Sequence, residues 1–306
     1  MTTAPVVLFV YNRPDHTQQT LDALAASPLA AATNLFIYAD GAPAGAEKAL
    51  LVKIEAVQQI ITAENRFKTV TVNRAASNKG LANSIIEGVT AMVNRFGKVI
   101  VLEDDMITSV HFLAFMNDAL QTFEHTDAVA CISGYIYPVA GLPPIFFLKG
   151  ADCWGWATWK RSWDLFEANG EKLLEQLNQA GHAFDFNFYN SYPYMQMLED
   201  QIKGRNKSWA IRWYASAYLS GKLTLYPGRS LVQNIGFDGT GIHSGKKQIT
   251  QLSFATHATE VNAIAAMEDV QAKEKIAAYF RTNRKKSIPA TVKRTITTIL
   301  KKIKGK

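Results

Sequence analysis

The chain has 306 residues, 48% hydrophobic and 19% charged, enough for one large folded domain and too apolar for a disordered one. No run nears the roughly 18 apolar residues of a membrane span. The net charge of +7 does not point to nucleic acid: ten of the 33 Lys/Arg lie between Arg281 and Lys306 with no acid, which leaves 23 against 26 acids in residues 1–280, and no basic stripe interleaved with aromatics crosses that body.

The first 135 residues alternate in period. "PVVLFVY" predicts a strand, and "DHTQQTLDALAAS" a helix with Pro14 near its start. "NLFIYAD" is a second strand ending at Asp40-Gly41, followed by a helix over "EKALLVKIEAVQQIITAE". "FKTVTVN", "KVIVL" and "AVACISGY" predict three more strands, separated by helices over "KGLANSIIEGVTAMVNRF" and "HFLAFMNDALQTFEH". Such alternation implies an α/β fold, a mainly parallel central sheet flanked by helices, with ligands outside the carboxyl ends of the strands. The polar stretches "NRPD", "ADGAPAG", "ASNKG" and "EDD" all fall there.

Beyond residue 140 the pattern loosens. "GLPPIFFLKGADCWGWATWKRSWDLF" is dense in Gly, Pro and Trp. Helices are expected near 170–180 and 185–203, over "SWAIRWYASAYLSG" with Gly221 closing it, and over 261–280; "KLTLYP" predicts a short strand and "GRSLVQNIGFDGTGIHSGKK" a long loop. The N-terminal "MTTAPVVLFVYNRPDH" has neither the basic n-region nor the cleavage site of a signal peptide. Cys131 and Cys153 lack metal-binding spacing, so reduced thiols in a cytoplasm are expected.

In "KVIVLEDDMITS" an apolar run opens into Glu103, Asp104 and Asp105. Three adjacent carboxylates repel one another. They are either a solvated turn or a site whose charge a cation neutralises, and oxygen-only ligands suit Mg²⁺ or Mn²⁺. Such an ion takes its remaining ligands from water and substrate phosphates, so a diphosphate substrate is implied. No G-x-G-x-x-G follows the first strand, "GTGIHSGKK" lacks the spacing of a phosphate loop, and neither H-E-x-x-H nor G-x-S-x-G occurs.

Six landmarks in order carry a resemblance over roughly residues 5–245: "VVLFVYNRPDHTQQTLDAL", "YADG", "SNKGLANSI", "VIVLEDDMITSVHFLAFM", "GADCWGWATW" and "LYPGRSLVQNIGFDGTGIHSG". The chain resembles the nucleotide-sugar glycosyltransferases of the GT-A (Rossmann-like) fold, above all the N-acetylglucosaminyltransferase I type and related bacterial family 2-like sugar transferases. The resemblance implies a transferase domain over 1–255, with a nucleotide-sugar half to about 135 and an acceptor half from about 136, then a helical, basic C-terminal extension over 256–306. It implies that Tyr11 and Arg13 lie by the base and diphosphate and that Asp40 contacts the base. Asn78, Lys79 and Gly80 would line the donor site, Glu103 and Asp104 would face the donor sugar and ribose, and Asp105 would hold the metal, with Asp104 or His243 as further ligands. Trp154, Gly155 and Trp156 would shape the sugar and acceptor pocket, and the loop from Gly236 to Gly245, with Asp238 and His243, would close over the donor.

Each residue also has a plainer reading. Asp40-Gly41 is a common turn pair, Lys79 a solvated lysine, the tryptophans core, and His243 a surface loop histidine. One departure matters. The resembled family takes its catalytic base from a W-D-D-W segment, whereas this chain reads "SWAIRW", with Ala210, Ile211 and Arg212 in place of the acids. The remaining candidates for the base are Asp200, favoured for its "ED" pair, and then Asp238 and Asp152; Arg212 would pair with a carboxylate or the diphosphate.

The implied activity is metal-dependent transfer of a sugar from a nucleotide-diphosphate donor, a UDP-sugar above others, to an acceptor hydroxyl with inversion, in bacterial surface glycan or lipopolysaccharide synthesis. The alternatives are a non-catalytic sugar-binding homologue and a sugar nucleotidyltransferase. In "TVKRTITTILKKIKGK", Val292, Ile296, Ile299, Leu300 and Ile303 share one helical face among lysines. This predicts a peripheral contact with an anionic membrane surface, and with it a place on the inner face of a membrane beside a glycan or glycolipid acceptor.

Overall fold

The computed structural model describes residues 3–238, 254 and 257–287. In chain order the first half runs β1 (Val6–Val10), α1 (Pro14–Ala25), β2 (Asn34–Ala39), α2 (Lys48–Ala63), β3 (Thr69–Arg74), α3 (Leu81–Phe96), β4 (Lys98–Glu103), β5 (Met106–Thr108), α4 (Phe112–Thr122) and β6 (Val129–Ser133). The second half runs β7 (Ile145–Lys149), β8 (Trp156–Trp159), α5 (Lys160–Trp163), α6 (Gly170–Gln179), α7 (Ala183–Phe186), α8 (Tyr194–Ile202), α9 (Ala210–Leu219), β9 (Leu223–Pro227), β10 (Val232–Asn234) and α10 (Val270–Ser287).

Eight strands form one sheet in the order β3-β2-β1-β4-β8-β6-β9-β7. The first four are parallel. β8 is inserted antiparallel between β4 and β6. This is the α/β architecture, with a mainly parallel sheet flanked by helices, that the strand–helix alternation predicts. The direction of winding reverses between β1 and β4, so their carboxyl ends open a crevice.

Alternation along β1 shows why these runs are strands. Val6, Leu8 and Val10 pack into one apolar layer with Leu21 and Leu24 of α1 and Val57 and Ile61 of α2. Val7 and Phe9 pack into the other with Ile85, Val89 and Met92 of α3. Both faces are covered, which suits near-continuous apolar strands.

Four expectations change. The Gly/Pro/Trp-dense stretch contains two strands, β7 and β8, and the expected loop 228–247 opens with β10, which pairs antiparallel with the short β5. The helix expected over 185–203 is broken into α7 and α8 by Phe188, Tyr189 and Asn190, all in left-handed conformation (φ 53°, 57° and 54°). The helix expected over 261–280 begins only at Val270 and reaches Ser287. α10 docks on the body. Ala272, Ile276, Ala277 and Phe280 are buried against Phe146, Leu148 and Tyr226. Lys273, buried among them, bonds Asp185 of α7 (2.6 Å) and Glu268 (3.0 Å).

Candidate active site

The crevice between β1 and β4 gathers opposite charges. Pro14 starts α1, and the turn before it aims Arg13 across the crevice. Arg13 Nη1 donates to Asp105 Oδ2 (2.8 Å) and lies 3.5 Å from Asp104 Oδ1. Its Nη2 donates to the Gly236 carbonyl (3.2 Å). Burial works against the guanidinium charge, but Asp104 and Asp105 outweigh it and hold the Arg13 pKa above its ordinary value. Burial, then the neighbouring carboxylates, push Glu103 well above the usual carboxylate range. Burial and then Asp105 push Asp104 up to about 7, with Arg13 and the Tyr11 backbone N–H pulling the other way.

The β5–β10 ladder fixes this turn from below. The Ile235 N–H donates to the Asp105 carbonyl (2.9 Å), and the Gly236 N–H to Asn234 Oδ1 (2.7 Å). Thr20 Oγ1 donates to the Asp104 carbonyl (2.8 Å). A Cβ at Gly236 would collide with Asp105 Oδ2, so a larger residue there would have to displace that carboxylate.

The donor set is all oxygen, which suits a hard divalent cation. Asp105 Oδ1 is buried and has no hydrogen-bond partner among the described residues, a ligand-ready atom in a crevice. No cluster of three or more His, Cys, Asp or Glu that could hold a metal occurs among the described residues. What speaks for an ion is Asp105 Oδ1 with Asp104 beside it; two carboxylates alone would hold it only with water and a diphosphate completing its shell. His243 lies outside the described residues, as does the loop beyond Asp238.

Asp40 is engaged by the chain itself. Its Oδ1 accepts from the backbone N–H groups of Gly41 (2.9 Å) and Lys79 (2.8 Å). Its Oδ2 accepts from Asn78 Nδ2 (3.0 Å) and the Gly80 N–H (2.9 Å). Four donors fill the carboxylate, so Asp40 anchors the 78–80 loop against the crevice rather than offering free acceptors to a base. Gly80, with φ of 76°, allows the loop to turn into α3. Lys79 reaches outward to Glu87 on the surface. The Tyr11 phenol, raised by burial and then by Asp40, sits by that anchored loop.

A second space lies on the far side of Trp154: a cavity of about 370 Å³, lined among others by Tyr135, Asp152, Tyr194, Tyr214, Tyr226 and Phe280. Trp154 meets Tyr135 edge-on (4.6 Å between centroids) and Phe237 of the crevice loop (5.6 Å), so it divides cavity from crevice. The β4–β8 register explains the adjacency. Val101 pairs Trp156, the last pair of that ladder, and the chain leading into β8 holds Cys153 within electrostatic reach of Glu103 and Asp105. The Cys153 thiol accordingly is pushed well up by burial, then by Asp152 and Glu103.

The three candidates for the base separate. Asp152 lines the cavity and accepts from the Cys153 N–H (2.6 Å); burial raises its pKa despite that bond and one from Tyr226. Asp200 lies on α8 outside the cavity lining, bonded to Arg205 (3.2 Å) and Gln196 (3.1 Å), so the structure does not support the preference for it. Asp238 sits by the crevice, 3.3 Å from His16 Nε2. Arg212 also leaves the expected pocket: its Nη1 donates to the Ala168 carbonyl (3.0 Å). Trp156 is core, stacked on Trp209 (5.4 Å) and against Trp163 and Trp213. Gly155 is buried beside Val232. Trp154 alone of that segment is pocket.

Sequence reasoning missed His16, Thr20, Asn234 and the tyrosines of the cavity. Nine of the eleven tyrosines fall after residue 134, a clustering that was available as a signal for a polar aromatic pocket.

Set against known proteins, the sequence matches no protein-family model and no curated protein. Among solved structures, similarity is found to S. aureus TarS (14% identity, TM-score 0.30, 48% of this chain and 24% of that one). It is found also to a mycobacterial protein (11%, 0.30, 53% and 54%). A third is glucosyl-3-phosphoglycerate synthase from Mycobacterium tuberculosis, solved with Mn²⁺, UDP and glucosyl-3-phosphoglycerate (10%, 0.32, 57% and 66%). The chain thus spans about a quarter, about half and just under two thirds of those three proteins. Likeness at this level assigns no activity; the functional reading rests on the two adjoining sites.

Proposed function

We propose that the chain is a glycosyltransferase that moves a sugar from a nucleoside-diphosphate donor, a UDP-sugar, to an acceptor hydroxyl with inversion. The observation that carries this is the meeting of Arg13 with Asp104 and Asp105 at the switch point of the sheet, with Asp152 lining the cavity beside Trp154. A bound Mg²⁺ or Mn²⁺, held by Asp105, would supply neutralising charge for the leaving diphosphate. Arg13 turns a guanidinium toward the same phosphates, and the Asp40-anchored loop with Asn78 and Gly80 walls the nucleotide. Asp152, with its raised pKa, takes the proton of the acceptor hydroxyl at its carboxylate. Trp154 positions the sugars between the two spaces and excludes water from the donor.

The acceptor we favour is a lipid-linked bacterial surface glycan at the inner face of a membrane. The support is the basic amphipathic pattern of 291–306, which lies outside the described residues; among the described residues no helix is long and apolar enough to cross a membrane. The test of activity is UDP release from a panel of UDP-sugars with and without Mn²⁺. Metal-dependent release that rises with acceptor supports the transfer; no release and no UDP binding under any condition returns the chain to a non-catalytic sugar-binding role.

A further inference from the structure

We propose that the cavity behind Trp154 is a subsite for an uncharged saccharide, so that the acceptor presents a neutral sugar and not a uronic acid, a sialic acid or a sugar phosphate. The proposal rests on the transferase reading for the word acceptor, and on the cavity alone for the ligand class.

Size comes first. At about 370 Å³ the cavity stands at the small end of small-molecule sites, roughly 300–1,000 Å³. It suits one or two sugar rings. The walls come next. Tyr137, Tyr194, Tyr214 and Tyr226 are aromatic faces with a hydroxyl at one end, and burial holds all four phenols well above their ordinary pKa. They stay neutral: the Tyr214 hydroxyl already donates to the Phe186 carbonyl (3.1 Å) and Tyr226 to Asp152, which leaves their lone pairs to accept, while the Tyr137 and Tyr194 hydroxyls can both donate and accept. A pyranose has the matching character, with C–H faces for the rings and hydroxyls at the rim. An alkyl chain would desolvate the Tyr137 and Tyr194 hydroxyls without giving them partners.

Charge decides the rest. Asp152 is the one carboxylate among the described lining residues, and Lys149 the one cation. Lys149 is engaged elsewhere, 3.8 Å from Asp185 and over the Tyr218 ring. An anionic sugar would therefore enter beside a half-buried carboxylate without a counter-ion of its own. In a poorly solvated space that repulsion falls directly on affinity.

The test uses the full-length chain, with and without UDP and Mn²⁺. The probes are methyl β-D-glucopyranoside, methyl β-D-galactopyranoside and methyl β-D-glucuronide, read by saturation-transfer NMR and by tryptophan fluorescence. At least one neutral glycoside should bind the wild type about tenfold or more tightly than the glucuronide. Asp152→Asn keeps the shape and removes the charge, so it should narrow that gap to within about threefold. Ile276→Trp should fill the cavity and abolish binding of the neutral glycoside; if that variant unfolds, Tyr194→Ala should weaken the same binding while the Asp152→Asn comparison still decides. Equal binding of glucuronide and neutral glycosides by the wild type, or an unchanged gap in Asp152→Asn, overturns the proposal. So does displacement of the fluorescence signal by 1-octanol where no glycoside binds. UDP calorimetry on the same preparation separates the two readings: glycoside binding without UDP binding sinks the transferase and leaves the saccharide subsite standing.

Discussion

Arg13 and Asp105, 92 residues apart in sequence, close the crevice with a 2.8 Å ion pair across the carboxyl ends of β1 and β4. The pair answers how a buried strand can run into three acids: one guanidinium, bonded also to the Gly236 carbonyl, stands in the middle of their charge. Both side chains keep some solvent contact (14% and 15% exposed), so the loss on removing Arg13 should be modest. Arg13→Ala is expected to lower stability by about 1–3 kcal/mol. Mn²⁺ should raise the melting temperature of this variant more than that of the wild type, since the cation then meets uncompensated carboxylates. Equal shifts in thermal denaturation would mean that arginine and cation do not share the same oxygens.

Asp105→Asn should retain the fold, because its backbone bond from Ile235 does not depend on the side chain, and should lose Mn²⁺-dependent UDP binding in calorimetry. Gly236→Ala should do similar damage from the other side. With its Cβ directed at Asp105 Oδ2, it should lower UDP affinity in Mn²⁺ by about tenfold or more. Unchanged affinity in both variants would move the metal site elsewhere.

Asp152→Asn should cut kcat by a factor on the order of 10²–10⁴ with UDP affinity preserved. Asp200→Asn, which breaks only its bonds to Arg205 and Gln196, should leave kcat within about twofold. The reverse result would restore the base to α8.

The pH dependence of stability has a definite sign. Glu103, Asp104 and Asp152 all hold their protons more tightly folded than unfolded. The unfolded chain releases them above about pH 4, so the folded state binds more protons and stability falls as pH rises from there. For Asp104 the fall ends near pH 7. The metal-free protein should melt several degrees lower at pH 8 than at pH 5, on the order of 2–6 °C, and UDP with Mn²⁺ should narrow the gap. A melting temperature that rises across this window would contradict the raised pKa values.

A chain cut after residue 287 should keep UDP release and lose any binding to anionic vesicles at low salt. A cut at residue 280 removes the end of α10 just beyond Phe280, which is buried against Phe188 and Tyr192, and should destabilise the body. Vesicle binding that survives the first cut would assign it to another surface.

The sheet's parallel half was legible because its strands are apolar runs and its helices carry a single apolar face. The acid triplet and Arg13 were legible for the same reason: both follow such runs directly. β7 and β8 were not, because glycine, proline and tryptophan crowd "PPIFFLKGADCWGWATW" and hide a period of two. β5 and β10 are three residues each, shorter than any pattern can show. Asp40 was placed correctly at a strand end, but its four donors come from backbone and side chains 1 to 40 residues away, which no local pattern records. That Asp200 lies outside the cavity lining was not legible, because a helix face does not announce which side meets the cavity.

The β4–β8 seam has a consequence for how such a chain can vary. Side chains alternate faces along a strand, so one residue inserted or deleted between Lys98 and Glu103, or between Trp156 and Trp159, would turn every following group of that strand to the opposite face. The acid triplet would then lose its register with the chain around Cys153 even though each motif survived intact. The cavity walls contributed by α8, α9 and α10 are bound by no such ladder. Length changes should accumulate in the connections around those helices, where they can reshape what the cavity admits, while the spacing along the seam stays fixed to the residue.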